Sequence, residues 1–303
     1  MNIGSLSEKE FISAIQQEGV AFRVAGFVVK LQTPFADVGK CIYLLYFDFP
    51  LADLNSFIDF HMEIVPPKGV RRWYCPQVEF YFDGFRPFKP LPRDQAYAMF
   101  EWSFNWCVAN HMHNYFIVHA AVVDKDDKCI IMPAPPGSGK STLCASLVMS
   151  GWRLLSDELA LLDLQSEHVY PIPRPINLKN NSIDIIRNRF SNAVFGPIIK
   201  DTAKGTVSHL KPPEGSVLSA SRVSKPTWII FPKYLAGSET SLLKRSKAQT
   251  FMEVAKNAFN YTVLGRDGFQ TLVKLIDACD CYDFCYSNID DALEEFDKLR
   301  ESK

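Results

Sequence analysis

The sequence predicts an α/β protein in two parts, a β-rich N-terminal α+β domain over residues 1–112 and a second α/β domain over residues 113–303. Three observations lead to this prediction. Alternating and branched apolar runs recur through the N-terminal part, as is typical of half-buried strands. At residues 129–142 an apolar run, a glycine-rich turn and a helix-forming segment follow one another. A hydrophobic content of 47% in 303 residues is enough for one large or two modest cores.

The N-terminal part begins with a short helical pattern, in which Ser7 and Glu10 have the spacing of a capping box. After it the apolar alternation predicts strands at residues 21–31, 41–47, 59–65 and 77–84. Residues 95–112 form a helix that is apolar nearly all round, which indicates burial between the two parts of the chain.

In the second part, residues 115–123 and 129–132 are predicted to pair as a β-hairpin that leads into the glycine-rich turn. The segments expected after the turn are a helix at 141–150 and strands at 152–155 and 159–163. Residues 201–213 are polar, with three basic residues and a glycine, and are predicted to form a loop that is able to close over a ligand.

The glycine-rich stretch has the order strand, loop, helix that a phosphate-binding loop requires. Backbone N–H groups in such a loop point at phosphate oxygens, the lysine reaches the β- and γ-phosphates, and the serine hydroxyl binds Mg²⁺. The candidate nucleotide-binding residues are Pro136, Gly137, Ser138, Gly139, Lys140, Ser141 and Thr142, with Ser141 also a metal ligand. One position departs from the usual pattern, because Ala134 stands where glycine is expected. The alternative is a Gly/Pro-rich turn before an ordinary helix.

An acidic pair, Asp157 and Glu158, follows the first strand after the loop helix. A carboxylate at that strand end can bind Mg²⁺ held by Ser141, so Asp157 is a candidate metal ligand as well as a catalytic residue. Glu158 can accept the proton of an incoming hydroxyl, which makes it the candidate general base. The alternative is a solvated acidic turn.

Two further candidate catalytic residues are His119 and Arg174. His119 lies in the apolar hairpin strand beside the loop, where its ring is able to reach the γ-phosphate; alone it would more often be a satisfied core histidine. Arg174 lies between two prolines that fix its backbone, which suits a guanidinium that contacts phosphate. A surface arginine is the alternative.

Composition excludes several classes of function. The net charge is −1, and the distribution of charge does not indicate binding to nucleic acid or to a membrane surface. No apolar run is long enough to span a bilayer. The polar, acidic N-terminus does not resemble a signal peptide, so we expect a cytoplasmic protein. Eight scattered cysteines then act as small apolar residues; a metal site at Cys279, Cys281 and Cys285 is disfavoured, because no second pair lies nearby.

Taken together, these motifs resemble the HPr kinase/phosphorylase C-terminal domain, and more closely the HPr-kinase-related kinase A proteins of bacteria. The short interval from the loop lysine to the acidic pair is also found in phosphoenolpyruvate carboxykinases. The likeness covers nearly the whole chain and includes residues 119–123, 133–144, 153–158, 174–175, 72–78, 88–92, 105–107, 201–213, 257–261 and 277–284. It implies a P-loop nucleotide-binding domain of the HPr kinase/phosphoenolpyruvate carboxykinase type after the β-rich N-terminal domain.

The resemblance implies an ATP- and Mg²⁺-dependent kinase acting on a hydroxyl, serine in particular, of a peptide, a protein or a serine-like small molecule. It implies a small PqqD-like protein as a partner and, by analogy, a homo-oligomer. Glu158 stands where HPr kinase has a second aspartate, and the N-terminal region is not that of HPr kinase, so HPr itself is not the expected acceptor. Two alternatives remain: a nucleotide-gated binding or scaffold protein, and a carboxykinase-like enzyme acting on a small acid.

Overall fold

The computed structural model describes residues 1–302 and places the strands in three sheets. The first is a five-stranded sheet with the strand order of the chain. Its strands are β1 (Val20–Val24), β2 (Phe27–Gln32), β3 (Phe60–Val65), β4 (Gln77–Phe82) and β5 (Leu91–Pro92). Three helices accompany it, α1 (Glu8–Gln17), α2 (Ala36–Leu45) and α3 (Ala96–His111). The capping box of Ser7 and Glu10 is present at the start of α1, as predicted.

One predicted strand is wrong. Residues 41–47 fall largely in helix α2, which buries Val38, Ile42 and Leu45 along one face. These positions have helical spacing, whereas the run of neighbouring apolar and aromatic residues suggested a strand. The predicted strand at 21–31 is a hairpin, because Ala25 has φ of 55° and turns the chain between β1 and β2.

The second sheet has eight strands in the order β10-β9-β6-β7-β14-β16-β15, with β8 paired to β6. Strands β7, β14 and β16 run parallel, and the other pairs are antiparallel. The strands are β6 (Tyr115–Lys125), β7 (Lys128–Pro133), β8 (Arg153–Ser156), β9 (Leu159–Asp163), β10 (Val169–Tyr170), β14 (Pro226–Tyr234), β15 (Ser241–Lys244) and β16 (Asp280–Tyr286). The predicted hairpin into the glycine-rich loop is thus confirmed as β6 and β7.

Helices cover both faces of the eight-stranded sheet. Along β7 the side chains alternate: Ile130 and Met132 pack with α4 (Lys140–Met149), and Ile131 packs on the opposite face against α9 (Arg266–Ala278). The remaining helices are α5 (Asn181–Arg189), α6 (Glu214–Leu218), α7 (Lys247–Lys256), α8 (Tyr261–Leu264) and α10 (Ile289–Glu301). Among residues 1–302 no helix is both long and apolar enough to cross a bilayer.

A small third sheet connects the two parts of the chain. Its strands are β11 (Ile176–Lys179), β12 (Ile199–Thr202) and β13 (Gly205–Leu210), in the order β11-β13-β12. Much of the loop predicted at 201–213 is therefore β-hairpin, which corrects that prediction. Ile176 packs with the core beside α4, whereas Val207 packs with the core that contains α3. The predicted boundary at residue 112 lies within one continuous apolar cluster, since Ile117 also belongs to the α3 core.

The three cysteines near the C-terminus behave as apolar residues. Cys279 and Cys281 are buried in the core between the large sheet and α9, and Cys285 is half-buried. Within residues 1–302, no group of three or more His, Cys, Asp or Glu side chains is placed to hold a metal ion.

Candidate functional site

The glycine-rich loop, residues 134–139, connects the end of β7 to the start of α4. Gly137 and Gly139 both have φ of 86°, in the left-handed region that favours glycine. Residues 135–137 are exposed, so their backbone is accessible. Tyr286 donates a hydrogen bond from its hydroxyl to the carbonyl of Gly139 at 3.1 Å, and the Tyr234 amide donates to the Ser138 carbonyl at 2.8 Å. The loop is thereby held against β14 and β16.

Alanine at position 134 is compatible with this loop. The residue is buried at the end of β7, and it is not among the non-glycine residues with positive φ. A methyl group at this position therefore causes no backbone strain, which explains how the chain departs from the usual glycine.

Gly139 and Gly137 differ in the space around them, and this difference predicts unequal effects of substitution. A Cβ on Gly139 would lie 2.5 Å from the Tyr286 hydroxyl and 2.9 Å from Tyr234 Cβ, whereas a Cβ on Gly137 would meet nothing within 4 Å. Gly139→Ala should lower the free energy of unfolding by about 2–4 kcal/mol, from left-handed strain plus overpacking. The matched control, Gly137→Ala, carries only the strain of about 1–2 kcal/mol. Urea denaturation measures both, and equal losses would contradict the packing argument.

Three predicted residues, Lys140, His119 and Glu158, meet at the N-terminus of α4. Lys140 is buried, and its Nζ lies 3.1 Å from Nε2 of His119. Because an ammonium only donates, Nε2 must accept, which places the proton of the neutral ring on Nδ1. Nδ1 faces Oε2 of Glu158 at 3.5 Å. The three side chains thus lie in one row, with a hydrogen bond between Lys140 and His119 and a 3.5 Å contact between His119 and Glu158.

Burial and neighbouring charges set the protonation states of His119 and Glu158. Burial and then the charge of Lys140 lower the pKa of His119 to about 4, so the ring is neutral at pH 7. Burial by itself would raise the pKa of Glu158, but the charge of Lys140, with those of Lys204 and Lys179, outweighs it and holds that pKa below its usual range. Glu158 is therefore an ionised carboxylate next to a neutral imidazole, as a general base requires.

Asp157 has an environment that fits a divalent cation. Burial and then the charge of Glu158 raise its pKa to about 6, against the opposing effects of Lys140 and the Ser141 hydroxyl. Its Oδ2 accepts from the Asn177 amide at 3.2 Å, but its buried Oδ1 has no hydrogen-bond partner within residues 1–302. A buried carboxylate oxygen without a partner is costly unless an ion or water satisfies it. The Asp157 carboxylate and the Ser141 hydroxyl are oxygen ligands of the kind that Mg²⁺ prefers.

Two other loop residues have neighbours that the sequence did not indicate. Thr142 donates its hydroxyl to Ser182 Oγ at 2.8 Å and is buried, so this hydroxyl stabilises the contact between α4 and α5. The Lys140 amide donates a weak hydrogen bond of 3.4 Å to Ser138 Oγ, just before the start of α4.

Arg174 lies in an environment unlike the one predicted from the sequence. Its guanidinium pairs with Glu101 of α3 at 3.3 Å, donates to Asn105 Oδ1, and lies 4.3 Å from the ring centroid of Phe104. Only 8% of the side chain is exposed. In this state Arg174 joins α3 to the second part of the chain, and its predicted contact with phosphate stays a prediction.

The structure adds residues that the sequence did not single out. Lys179 at the end of β11 and Lys204 in the β12–β13 turn are close enough to act on the charges of Asp157 and Glu158. His209 is the cross-strand partner of Asn177. Both of its ring nitrogens and Asn177 Oδ1 are buried without partners in the described chain. Burial and then Arg174 lower the His209 pKa to about 3, so it is neutral.

The sequence indicated only that residues 201–213, which include Lys204 and His209, form a polar segment with three basic residues, and it carried no signal for Asn177 or Lys179. A lysine or a histidine in a short polar strand is common, and the positions become neighbours only when β11 pairs with β13 across a separation of some thirty residues. The pairing places Asn177, Lys179, Val207 and His209 on the face toward α3, where Tyr97 lies 5.1 Å from His209 ring to ring.

Comparison with known proteins gives a distant structural likeness. No protein-family model matches the chain, and no curated protein sequence matches it. Among solved structures, the HPr(Ser) kinase/phosphatase from Coxiella burnetii is similar with a TM-score of 0.29 and 11% sequence identity, covering 62% of this chain and 99% of that one. The chain is a mixed α/β protein with mixed sheets.

Proposed function

We propose that this protein is a kinase that transfers the γ-phosphoryl group of ATP, with Mg²⁺, to a hydroxyl of a peptide, a protein or a serine-like small molecule. The observation that carries the proposal is the convergence of Lys140, His119 and Glu158 at the N-terminus of α4, beside the unpartnered oxygen of Asp157. A helix N-terminus with accessible loop amides and a buried lysine suits a phosphate chain.

Each residue has one role in this reaction. Loop amides and Lys140 bind the phosphates, and Glu158 takes the proton of the acceptor hydroxyl as its oxygen bonds to the γ-phosphorus and ADP leaves. His119, held by Lys140 through Nε2, orients the carboxylate of Glu158 through Nδ1–H. Ser141 and Asp157 would hold Mg²⁺, which supplies neutralisation of the phosphate charge when bound.

Lys140→Met tests the proposal. Methionine keeps most of the apolar stem but removes the ammonium, so we expect the Kd for ATP to rise about 10–100-fold, the value of a hydrogen bond to a charged group. Transfer of label from ATP radiolabelled in the γ-phosphate to serine, to serine-containing peptides or to a PqqD-like protein should fall below detection.

The matched control is Lys256→Met, a lysine on α7 that is 69% exposed and has only a weak pair with Glu253 at 3.9 Å. This variant should bind ATP and transfer label like the unmodified protein. If Lys140→Met binds ATP as tightly as Lys256→Met, the glycine-rich loop does not bind nucleotide and the kinase proposal fails.

A second function, a nucleotide-gated binding protein without phosphoryl transfer, is favoured by the state of Arg174. A kinase needs cations around the transferred group, whereas this arginine is buried against Glu101. Such a protein would bind ATP in a Lys140-dependent way but would label no acceptor in the same assay.

A further inference from the structure

Phosphoryl transfer requires positive charge beside the equatorial oxygens of the moving group as well as at the phosphate chain. The arginine that the sequence offered for this role, Arg174, is held by Glu101, Asn105 and the face of Phe104. Breaking a buried ion pair of this kind would leave an uncompensated carboxylate at Glu101. A different cation, exposed and without a carboxylate partner, is therefore the better candidate.

Lys204 meets both conditions. It is exposed, and no carboxylate among residues 1–302 lies within ion-pair distance of its ammonium. Its Nζ lies 5.1 Å from the ring centroid of Trp102, which restricts where the side chain rests. Glu158, Lys179 and Lys140 are close enough to Lys204 to act on its charge.

The backbone that carries Lys204 is fixed on three sides. Thr202 Oγ1 accepts from the Lys204 amide at 3.0 Å and donates to the Gly205 carbonyl at 2.6 Å, which closes the turn. The Asn180 amide donates to the Thr206 carbonyl at 2.8 Å, and the Thr206 amide donates back to Asn180 Oδ1 at 3.1 Å; a Cβ on Gly205 would lie 2.6 Å from that Oδ1. On the other side, Gln95 Nε2 donates to the Asp201 carbonyl at 3.0 Å. The turn is therefore anchored to the end of β11 and to the start of α3.

The same sheet is tied to the acidic pair. The Asn177 amide on β11 donates to Asp157 Oδ2, and Lys179 follows two residues later on the same face. The β12–β13 hairpin is thus held at a defined distance from Asp157 and Glu158. The long side chain of Lys204 provides reach from this fixed backbone.

Charge balance agrees with a phosphate role for this lysine. Lys140, Lys179 and Lys204 oppose Asp157 and Glu158, which leaves one net positive charge in the site. Without Lys204 the lysines would only cancel the two carboxylates, whereas ATP brings several negative charges with its phosphates. The positive charge of Lys204 adds to the charge that a bound Mg²⁺ would supply, and both oppose the charge of this polyanion.

We propose that Lys204, carried by the β12–β13 hairpin, is a catalytic residue whose ammonium contacts the transferred phosphoryl group. This inference rests on the proposed kinase function. It gives Lys204 the task that the sequence suggested for Arg174, and it makes the hairpin a fixed wall of the site rather than a mobile loop.

The test compares two nucleotides, because a contact with the transferred group exists in ATP and not in ADP. Lys204→Met keeps the stem of the side chain and removes the charge. For the full chain with Mg²⁺, calorimetry should show the Kd for the non-hydrolysable β,γ-imido analogue of ATP rising about 10–100-fold, and the Kd for ADP changing less than about twofold. Lys204→Arg keeps the charge and should restore most of the affinity for the analogue.

Lys200→Met is the matched control, since Lys200 is an exposed lysine on β12 of the same hairpin. It should bind both nucleotides like the unmodified protein. Equal weakening of both nucleotides by Lys204→Met, or no weakening of either, would overturn the assignment of Lys204. A failure of the unmodified protein to bind any nucleotide is a different result, and it would overturn the proposed function together with this inference.

Discussion

Glu158→Gln is expected to slow phosphoryl transfer by about 10²–10⁴-fold, the usual contribution of a general base. Glutamine has nearly the shape of glutamate and can still face Nδ1 of His119, but it cannot accept a proton from the acceptor. ATP binding should be unchanged or tighter, because the substitution removes a negative charge from the neighbourhood of Lys140. Single-turnover transfer from labelled ATP and equilibrium binding measure the two effects separately.

Two companion variants make this result decisive. Glu158→Asp keeps the carboxylate on a stem that is one methylene shorter, so it should retain more transfer than glutamine does. Glu167→Gln changes a half-buried glutamate in the turn after β9, whose pair with Lys274 is weak at 3.9 Å, and should have no effect. If the Glu158→Gln variant transfers the phosphoryl group as fast as the unmodified protein, the proton of the acceptor goes to another group. Glu158 then serves only the local charge balance.

The centre of the candidate site was predictable because its signals are local. A strand, two glycines, a lysine and a helix follow one another within residues 129–149, and each has a mechanical consequence that the sequence alone predicts. The positions of Lys140 and of the acidic pair after β8 follow from that order. His119 lies on β6, which pairs with β7, the strand that enters the loop. This hairpin places His119 beside the loop.

Helix α2 shows where local reading fails. Its sequence has apolar and aromatic residues in almost every position from 41 to 47, so periodicity did not separate helix from strand. Burial of Val38, Ile42 and Leu45 against the neighbouring core decides for the helix. Tertiary packing thus overrides the strand propensity of the segment.

The residues around the centre of the site could not be predicted from the sequence, because they come together through contacts between segments that are far apart in the chain. Lys179 and Lys204 come together through β11 and β13, and Arg174 meets Glu101 across 73 positions of the chain. The two prolines beside Arg174 correctly indicated a fixed backbone, but they carry no information about which partner the guanidinium takes. That partner is Glu101, a buried glutamate on α3, where most of the other buried residues are apolar.

Arg174→Met should lower the free energy of unfolding by about 3–5 kcal/mol, the cost of removing one partner of a buried ion pair. The side chains of Arg174 and Glu101 are only 8% and 4% exposed, so water cannot replace the lost partner. Burial already raises the pKa of Glu101, although Arg174 and the hydroxyls of Tyr97 and Tyr46 oppose this. Urea denaturation at pH 7 measures the loss, and Arg189→Met is the control, because its partner Asp290 is 70% exposed.

The double variant with Glu101→Gln separates a structural role of Arg174 from a role in binding phosphate. Glutamine removes the uncompensated charge while its Oε1 still accepts from Tyr46 and Tyr97, which lie 2.8 and 2.6 Å from that oxygen of Glu101. The double variant should therefore be more stable than Arg174→Met alone. An arginine whose main task was to contact the transferred phosphate would behave differently. Its removal would leave the free energy of unfolding unchanged, and the glutamine at 101 would rescue nothing.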